Sequence, residues 1–262
     1  MIDRLGPDRV VASGVAVRYG SRVALHGTSL TIDAGTIHAI IGPAGSGKTS
    51  FLRTLNLMSI ELDGATVEGS VHIGNDEVLA DTRVRHDPAL LSRLRRRVGI
   101  VFATPQPLPR SIYENVVYGP RIAGVRDRVT LDETVERALR AAHMWDEVRD
   151  RLSLPATRLS GGQQQRLCLA RTLATNPRVV LLDEPCSGLD PISTARIEDT
   201  LRSLKSQITF VLVTNSIYQA ERVADETSFF LMGEHIETAS TADLFARPAR
   251  TETRDYLDGR FG

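Results

Sequence analysis

The chain has 262 residues, of which 42% are hydrophobic and 24% charged, with 32 basic residues against 32 acidic. That is the composition of a globular protein with room for one large domain or two small lobes. Its balanced charge argues against bulk nucleic-acid binding, which draws on a basic excess. The two cysteines, Cys168 and Cys186, read as reduced cytosolic thiols, and Cys186 as a small packed residue rather than a redox sensor. Residues 1–8 carry no long apolar core of the kind a signal peptide needs, and no apolar run approaches the roughly 20 residues that span a bilayer. If the protein works at a membrane, other subunits must cross it.

In chain order, residues 10–32 hold two β-like runs around Tyr19-Gly20-Ser21-Arg22, a hairpin-like start. Residues 36–41 are apolar and β-branched and predict a buried strand; residues 49–55 predict a helix. Between them stands Gly42-Pro43-Ala44-Gly45-Ser46-Gly47-Lys48-Thr49, followed by Ser50. Strand, glycine loop and helix are the context a phosphate cradle requires. The glycines let the backbone turn tightly and aim N–H groups at phosphate oxygens, and the helix N-terminus adds partial positive charge. Lys48 is then a point charge for the β- and γ-phosphates of a nucleotide, and the Thr49 hydroxyl a Mg²⁺ ligand.

From 88 to 165 the character turns helical, with 89–97, 131–143 and 145–152 as predicted helices and 98–102 as a strand. Arg93, Arg95, Arg96 and Arg97 read as a solvated helix face before that strand. Leu159-Ser160-Gly161-Gly162-Gln163 precedes a helical run over 164–174, so Ser160, Gly161 and Gly162 sit where backbone donors at a helix start can hold an anion. Strand–helix alternation returns from 178. The run Val179-Val180-Leu181-Leu182 ends in Asp183-Glu184, a buried strand delivering two acids to a C-terminal sheet edge. Asp183 is placed to hold Mg²⁺ through water, and Glu184 to act as general base on an attacking water. A helix over 191–205 and a strand over 208–214 follow.

The glycine loop, the Leu-Ser-Gly-Gly-Gln signature and the Asp-Glu pair, in this order, resemble the ATP-binding subunit of ABC transporters. Ser111-Ile112-Tyr113-Glu114-Asn115-Val116, the segments 159–171 and 183–194, and the tail Asp255-Tyr256-Leu257-Asp258-Gly259-Arg260-Phe261-Gly262 are similar to the phosphate-import ATPases within that family. The resemblance implies an α/β P-loop NTPase fold of ABC type: a RecA-like parallel-sheet core, an N-terminal antiparallel β part and an inserted α-helical lobe. On it, 1–262 is one ATP-binding domain, with 1–87 and 166–262 as the nucleotide-binding core and 88–165 as the helical signature lobe. Tyr19 matches the aromatic that stacks on adenine. Ser160, Gly161, Gly162 and Gln163 match the site that touches ATP held by a second subunit, and Asp190 matches the loop crossing that interface. The implied ligands are ATP and Mg²⁺. The implied partners are a second ATP-binding subunit (a homodimer or a hetero-pair), two transmembrane permease subunits and, indirectly, an extracytoplasmic phosphate-binding protein, at the cytoplasmic face of the plasma membrane; no nucleic acid is implied.

Two positions depart from the family pattern. Ala103 stands where the family has a glutamine that touches Mg²⁺ and the attacking water. Asn215 stands where it has a histidine on the γ-phosphate, and none of the six histidines falls there. An amide still donates a hydrogen bond but is never cationic, and alanine offers no ligand. Three readings therefore stay open: an importer ATPase, an ATP-gated dimerising clamp with weak hydrolysis, and a soluble ABC ATPase outside transport. Against the third stand the single nucleotide site, the neutral charge and the segment 111–116, which resembles the transporter-coupling region.

Overall fold

Alternating burial at Val10, Ala12, Val15 and Val17 and at Leu25, Leu30 and Ile32 gives two strands with one face inward. In the computed structural model, which describes residues 6–61, 64–79 and 86–261, these are β1 (Val10–Tyr19) and β2 (Arg22–Ile32), antiparallel about the anticipated turn. β4 (Ala65–Ile73) pairs with β1, and β5 (Asp76–Glu77) with β4, completing a four-stranded antiparallel sheet. The sequence pattern predicts no strand at β4. Its inward residues Val67, Val71 and Ile73 are interrupted at Gly69, where the register against β1 shifts, so the alternation does not run cleanly. The expected lack of a signal-peptide core concerns residues 1–8; of these, 1–5 lie outside the described residues, as does Gly262 at the end of the tail motif.

The second sheet runs β10-β9-β3-β8-β7-β6, built from β3 (Ile37–Ile41), β6 (Val98–Val101), β7 (Val179–Asp183), β8 (Thr209–Val213), β9 (Glu226–Leu231) and β10 (Glu234–Ser240). Five strands are parallel, and β10 closes one edge antiparallel to β9. Every residue of β3, β7 and β8 is buried. That explains why they read as continuous apolar runs: both faces are covered. All three end at one edge, so Gly42, Glu184 and Thr214 leave the sheet side by side.

The helices are α1 (Lys48–Thr54), α2 (Pro88–Arg97), α3 (Ile112–Ile122), α4 (Arg128–Ala141), α5 (Trp145–Val148), α6 (Gly161–Leu173), α7 (Pro191–Leu204), α8 (Ile217–Val223), α9 (Thr241–Ala246) and α10 (Thr251–Leu257). None of the described helices is long and apolar enough to cross a membrane. α3 to α5 and one side of α6 share a core of their own, with Val116, Val135, Leu139, Met144 and Leu167 buried together. α6 turns Cys168, Leu169 and Leu173 the other way, onto the parallel sheet. It is the joint between helices and sheet. α2 packs elsewhere: its Leu94 is buried with the strands of the first sheet.

Three local readings differ. α4 starts at Arg128 rather than 131, because the Asp127 carboxylate accepts the Thr130 N–H at 2.8 Å and caps a turn earlier. The predicted 145–152 helix stops at Val148 and tightens into a 3₁₀ turn over Arg149–Arg151. Of the four arginines read as solvated, Arg97 is bound to Asp8 (2.5 Å) and Asp76, and Arg95 to Glu61 (2.8 Å). Their carboxylate partners lie far away in sequence, and folding alone brings them in.

Candidate functional site

The loop between β3 and α1 is shaped by contacts that only glycine tolerates. Gly42 has φ +146°, and a Cβ there would lie 2.0 Å from the Phe230 carbonyl oxygen. Gly47, at φ +96°, would bring a Cβ to 2.5 Å from the Ala24 oxygen. So the cradle is pressed against β9 and β2 with no room for a side chain. Lys48 opens α1 and is 5% exposed. Its Nζ donates to the carbonyls of Gly42 (2.6 Å) and Pro43 (2.8 Å). Burial lowers the Lys48 pKa, and the charges of Glu184 and Asp183 pull against that. No side chain caps α1, so its first-turn N–H groups face the cleft with the unspent hydrogen-bonding capacity of a helix N-terminus.

That cleft holds about 260 Å³ and is walled by residues 44–50, Tyr19, Arg22, Glu184 and Asn215. The Tyr19 hydroxyl donates to Ser50 Oγ at 3.3 Å, fixing the ring at the cleft rim. Thr49 Oγ1 donates to Asp183 Oδ1 at 2.8 Å, bringing together the two residues singled out as metal ligands. Arg53, which the sequence reading misses, reaches Asp183 Oδ2 at 3.4 Å. Its signal is available: it lies four residues after Thr49, on the same helix face.

Glu184 follows Asp183 in the left-handed region, φ +50°, which a non-glycine residue seldom occupies. Its N–H donates to the Val213 carbonyl (2.8 Å), and its Oε1 accepts from Asn215 Nδ2 at 2.5 Å. Backbone strain of this kind costs about 1–3 kcal/mol and persists where the surroundings hold it. Here the β8 edge and Asn215 hold the carboxylate at the cleft. Ala103 comes just after β6, next to Phe102, whose ring lies 6.0 Å below the Arg53 guanidinium. The buried Gln165 side chain donates to the carbonyls of Phe102 (2.8 Å) and Pro185 (2.9 Å), tying the segment that carries Ala103 to the turn after Glu184. The cleft wall does not include Gln106.

Ser160, Gly161, Gly162 and Gln163 form the first turn of α6 and its cap, and none of them lines that cleft. Ser160 Oγ accepts the Gln163 N–H (3.3 Å) and Gln163 Oε1 accepts the Ser160 N–H (3.1 Å), a reciprocal capping box. Gln163 Nε2 then donates to Glu147 (2.8 Å), which also pairs with Arg166 (2.8 Å) and with Arg196. Burial raises the Glu147 pKa, but hydrogen bonds from Arg166 and Gln163 outweigh it and hold the carboxyl below its ordinary value. A Cβ on Gly162 would meet Ser193 Oγ at 2.2 Å, and Ser193 donates to Asp190 (2.6 Å), which caps α7. The signature turn and the Asp190 loop are therefore packed as one surface. Cys186 is tucked beneath that loop, its thiol pushed up to about 11 by burial, so it stays protonated.

A deep-set lysine under a glycine cradle, an Asp–Glu strand end and a self-capped Ser-Gly-Gly-Gln helix start occur together here. Residues 25–187 match the ABC transporter family. The chain belongs to this family. Among solved structures, it is similar to a bacterial Atm1-family ABC exporter with ATP bound, with 26% identity and a TM-score of 0.78, over 98% of this chain and 44% of that one. It therefore spans less than half the length of that exporter chain. It is also similar to the dimeric, post-hydrolysis ATP-binding cassette MJ0796 bound to ADP and Pi, with 28% identity and a TM-score of 0.75, over 88% of this chain and 98% of that one. At 24% identity, cbiO1 from Clostridium perfringens, part of the ABC transporter complex cbiONQ, shares the fold alone (TM-score 0.77, 96% of each chain). The ABC P-loop fold, with its parallel and antiparallel sheets, is thus established.

As an ABC domain, the chain has a cleft suited to ATP with Mg²⁺. Among the described residues no cluster of three or more His, Cys, Asp or Glu could hold a metal by itself. One hydroxyl beside one carboxylate is the set that holds Mg²⁺ when nucleotide phosphates supply the other oxygens.

Proposed function

We propose that the chain is the ATP-hydrolysing subunit of an ABC importer, most specifically one for inorganic phosphate. The observation that carries the ATPase part is the convergence of Lys48, the Thr49–Asp183 pair and the Glu184 carboxylate on one cleft. Lys48 and the first-turn amides of α1 bind the phosphates of ATP. Thr49 and Asp183 hold Mg²⁺, which supplies charge neutralisation at the β- and γ-phosphates when bound. Glu184, held by Asn215, accepts a proton from the attacking water. Tyr19 stacks on the base.

In this reading, residues 1–262 act as one domain, with α3 to α5 and the first turn of α6 as the lobe that presents the signature, while α2 and β6, within the expected 88–165, belong to the sheet core. Ser160–Gln163 completes the site of a second ATP-binding subunit, and Asp190 belongs to the loop crossing that interface. A homodimer fits the presence of both half-sites on one chain. Two permease subunits and an extracytoplasmic phosphate-binding protein complete the assembly at the cytoplasmic membrane face. The phosphate assignment rests on the segments 111–116, 159–171 and 183–194 and on the tail from Asp255.

A second reading, a clamp that binds ATP and hydrolyses it slowly, is favoured by the Asn215–Glu184 hydrogen bond together with Ala103. Where a histidine would offer the γ-phosphate a cationic donor, Asn215 spends its amide on the base. Steady-state ATPase on the purified chain, with Glu184→Gln as control, separates the two readings. An importer motor turns over well above the control, whereas a clamp stays close to it. Glu184→Gln with saturating ATP should also trap a dimer in light scattering, and adding Ser160→Arg should block it. A Glu184→Gln protein that stays monomeric would remove the homodimer.

A further inference from the structure

One buried amide ties the end of β6 to the turn that follows Glu184. Gln165 lies on α6, one turn before Cys168 and Leu169, on the face that packs against the parallel sheet, and it is 1% exposed. Its Nε2 carries two protons. One goes to the Phe102 carbonyl (2.8 Å), just past β6, and the other to the Pro185 carbonyl (2.9 Å), just past β7. Its Oε1 is buried without a hydrogen-bond partner. Turning the amide over would set that oxygen against two carbonyl oxygens, so the side chain serves the two backbone groups and leaves its own acceptor idle.

Glu184 stands beside these anchors in a conformation it does not favour. Its φ is +50°, whereas a residue before proline is pushed toward extended backbone. Such a residue keeps its shape where its surroundings impose it. The Ser187 N–H donates to the Glu184 carbonyl (3.1 Å) and closes the turn on itself. The sheet then holds that turn from both sides, since β7 pairs with β6 and with β8. On the β8 side the Glu184 N–H is bound to the Val213 carbonyl (2.8 Å). On the β6 side the link runs through Gln165. We infer that Gln165 is a positioning residue for Glu184: it fastens the 184–187 turn to the end of β6 and so keeps the carboxylate at the cleft. This inference rests on Glu184's being the base of the proposed ATPase. Gln165 does not line the cleft, so its loss acts on the chemical step and spares ATP binding, whose contacts come from the cradle.

The test is Gln165→Met in the full chain, which keeps an unbranched side chain and deletes both donors. kcat should fall about tenfold or more, while KM and the Kd of a fluorescent ATP analogue stay within about twofold. Without nucleotide, hydrogen exchange at the Glu184 amide, followed by NMR, should speed about tenfold or more. Gln165→Asn keeps the amide but withdraws it by one methylene. Its kcat should lie between those of wild type and Gln165→Met, and it carries the same comparison if Gln165→Met does not fold. Thr200→Val is the control. It deletes a buried bond from α7 to the Ala141 carbonyl (2.9 Å), and should lower the melting temperature while leaving kcat and exchange at Glu184 unchanged. A melting temperature that falls in Gln165→Met at unchanged kcat overturns the inference and leaves Gln165 a fastening of the fold. So does an equal loss of kcat and affinity, or an equal loss of kcat in Thr200→Val. If wild type hydrolyses ATP no faster than Glu184→Gln, the motor reading fails and exchange decides alone: faster exchange at Glu184 upholds the role of Gln165, and unchanged exchange removes it.

Discussion

Two helix N-termini in this chain are built from glycine-rich sequence, and they are finished differently. At α1 no side chain caps the helix, and the buried Lys48 lies folded onto the loop's own carbonyls. At α6 the first turn is closed by the Ser160–Gln163 box and roped through Gln163 to Glu147. The first terminus leaves its amides for a ligand on the same chain. The second is self-sufficient, exposed at Ser160, and shares no wall with the cleft. The contrast teaches that a helix start is ready to bind an anion when its donors are unspent, and that a capped one must exchange its own bonds for a ligand's. Such an exchange is suited to a contact made only when a second subunit arrives.

The largest expected effect tests the α1 side. Lys48→Ala removes a charge-assisted donor from the phosphates and should weaken ATP binding by about a hundredfold or more, measured with a fluorescent analogue. Unchanged affinity would erase the distinction between the two termini.

Next comes the rope behind α6. Glu147→Ala strands Arg166, 3% exposed at its side chain, and should cost about 2 kcal/mol of stability, below the full loss for a wholly buried pair because Glu147 is a quarter exposed. The folded-state pKa of Glu147 is depressed, so its contribution is present above the unfolded glutamate pKa and lost as pH falls through the lower folded value. Denaturant midpoints of wild type and Glu147→Ala should therefore converge in acid. A constant gap across that range would mean the carboxylate charge does not carry the effect.

A smaller change is expected on the cleft's water side. Restoring Ala103→Gln together with Asn215→His should raise kcat by about tenfold, with KM for ATP moving less, because most phosphate contacts come from the cradle. A wild type already as fast as the double variant would retire the slow-clamp reading.

The smallest effect sharpens the contrast itself. Ser160→Ala opens the capping box and should lower stability by about 1 kcal/mol. Held monomeric at low concentration, the variant should bind the ATP analogue as wild type does. A loss of affinity there would show that the α6 terminus already serves its own chain's site.

Much of this architecture was determined by the sequence because the physics is local. Short, β-branched apolar runs fit strands covered on both faces, as at β3, β7 and β8, and glycines between a strand and a helix allow the tight turn seen at Gly42 and Gly47. The placement of Lys48, Thr49, Asp183 and Glu184 was legible for the same reason: each stands at a strand end or helix start that its own neighbours define. Tertiary structure decided the rest. Arg53 joins Asp183, Gln165 staples the Ala103 segment to the turn after Glu184, Asn215 binds Glu184, and Tyr256 comes to line one cavity with Gly42. Except for Arg53 and its helix spacing, these partners are separated by tens to hundreds of residues, and no local propensity or motif encodes a pairing between side chains that only the packed sheet edge brings within reach.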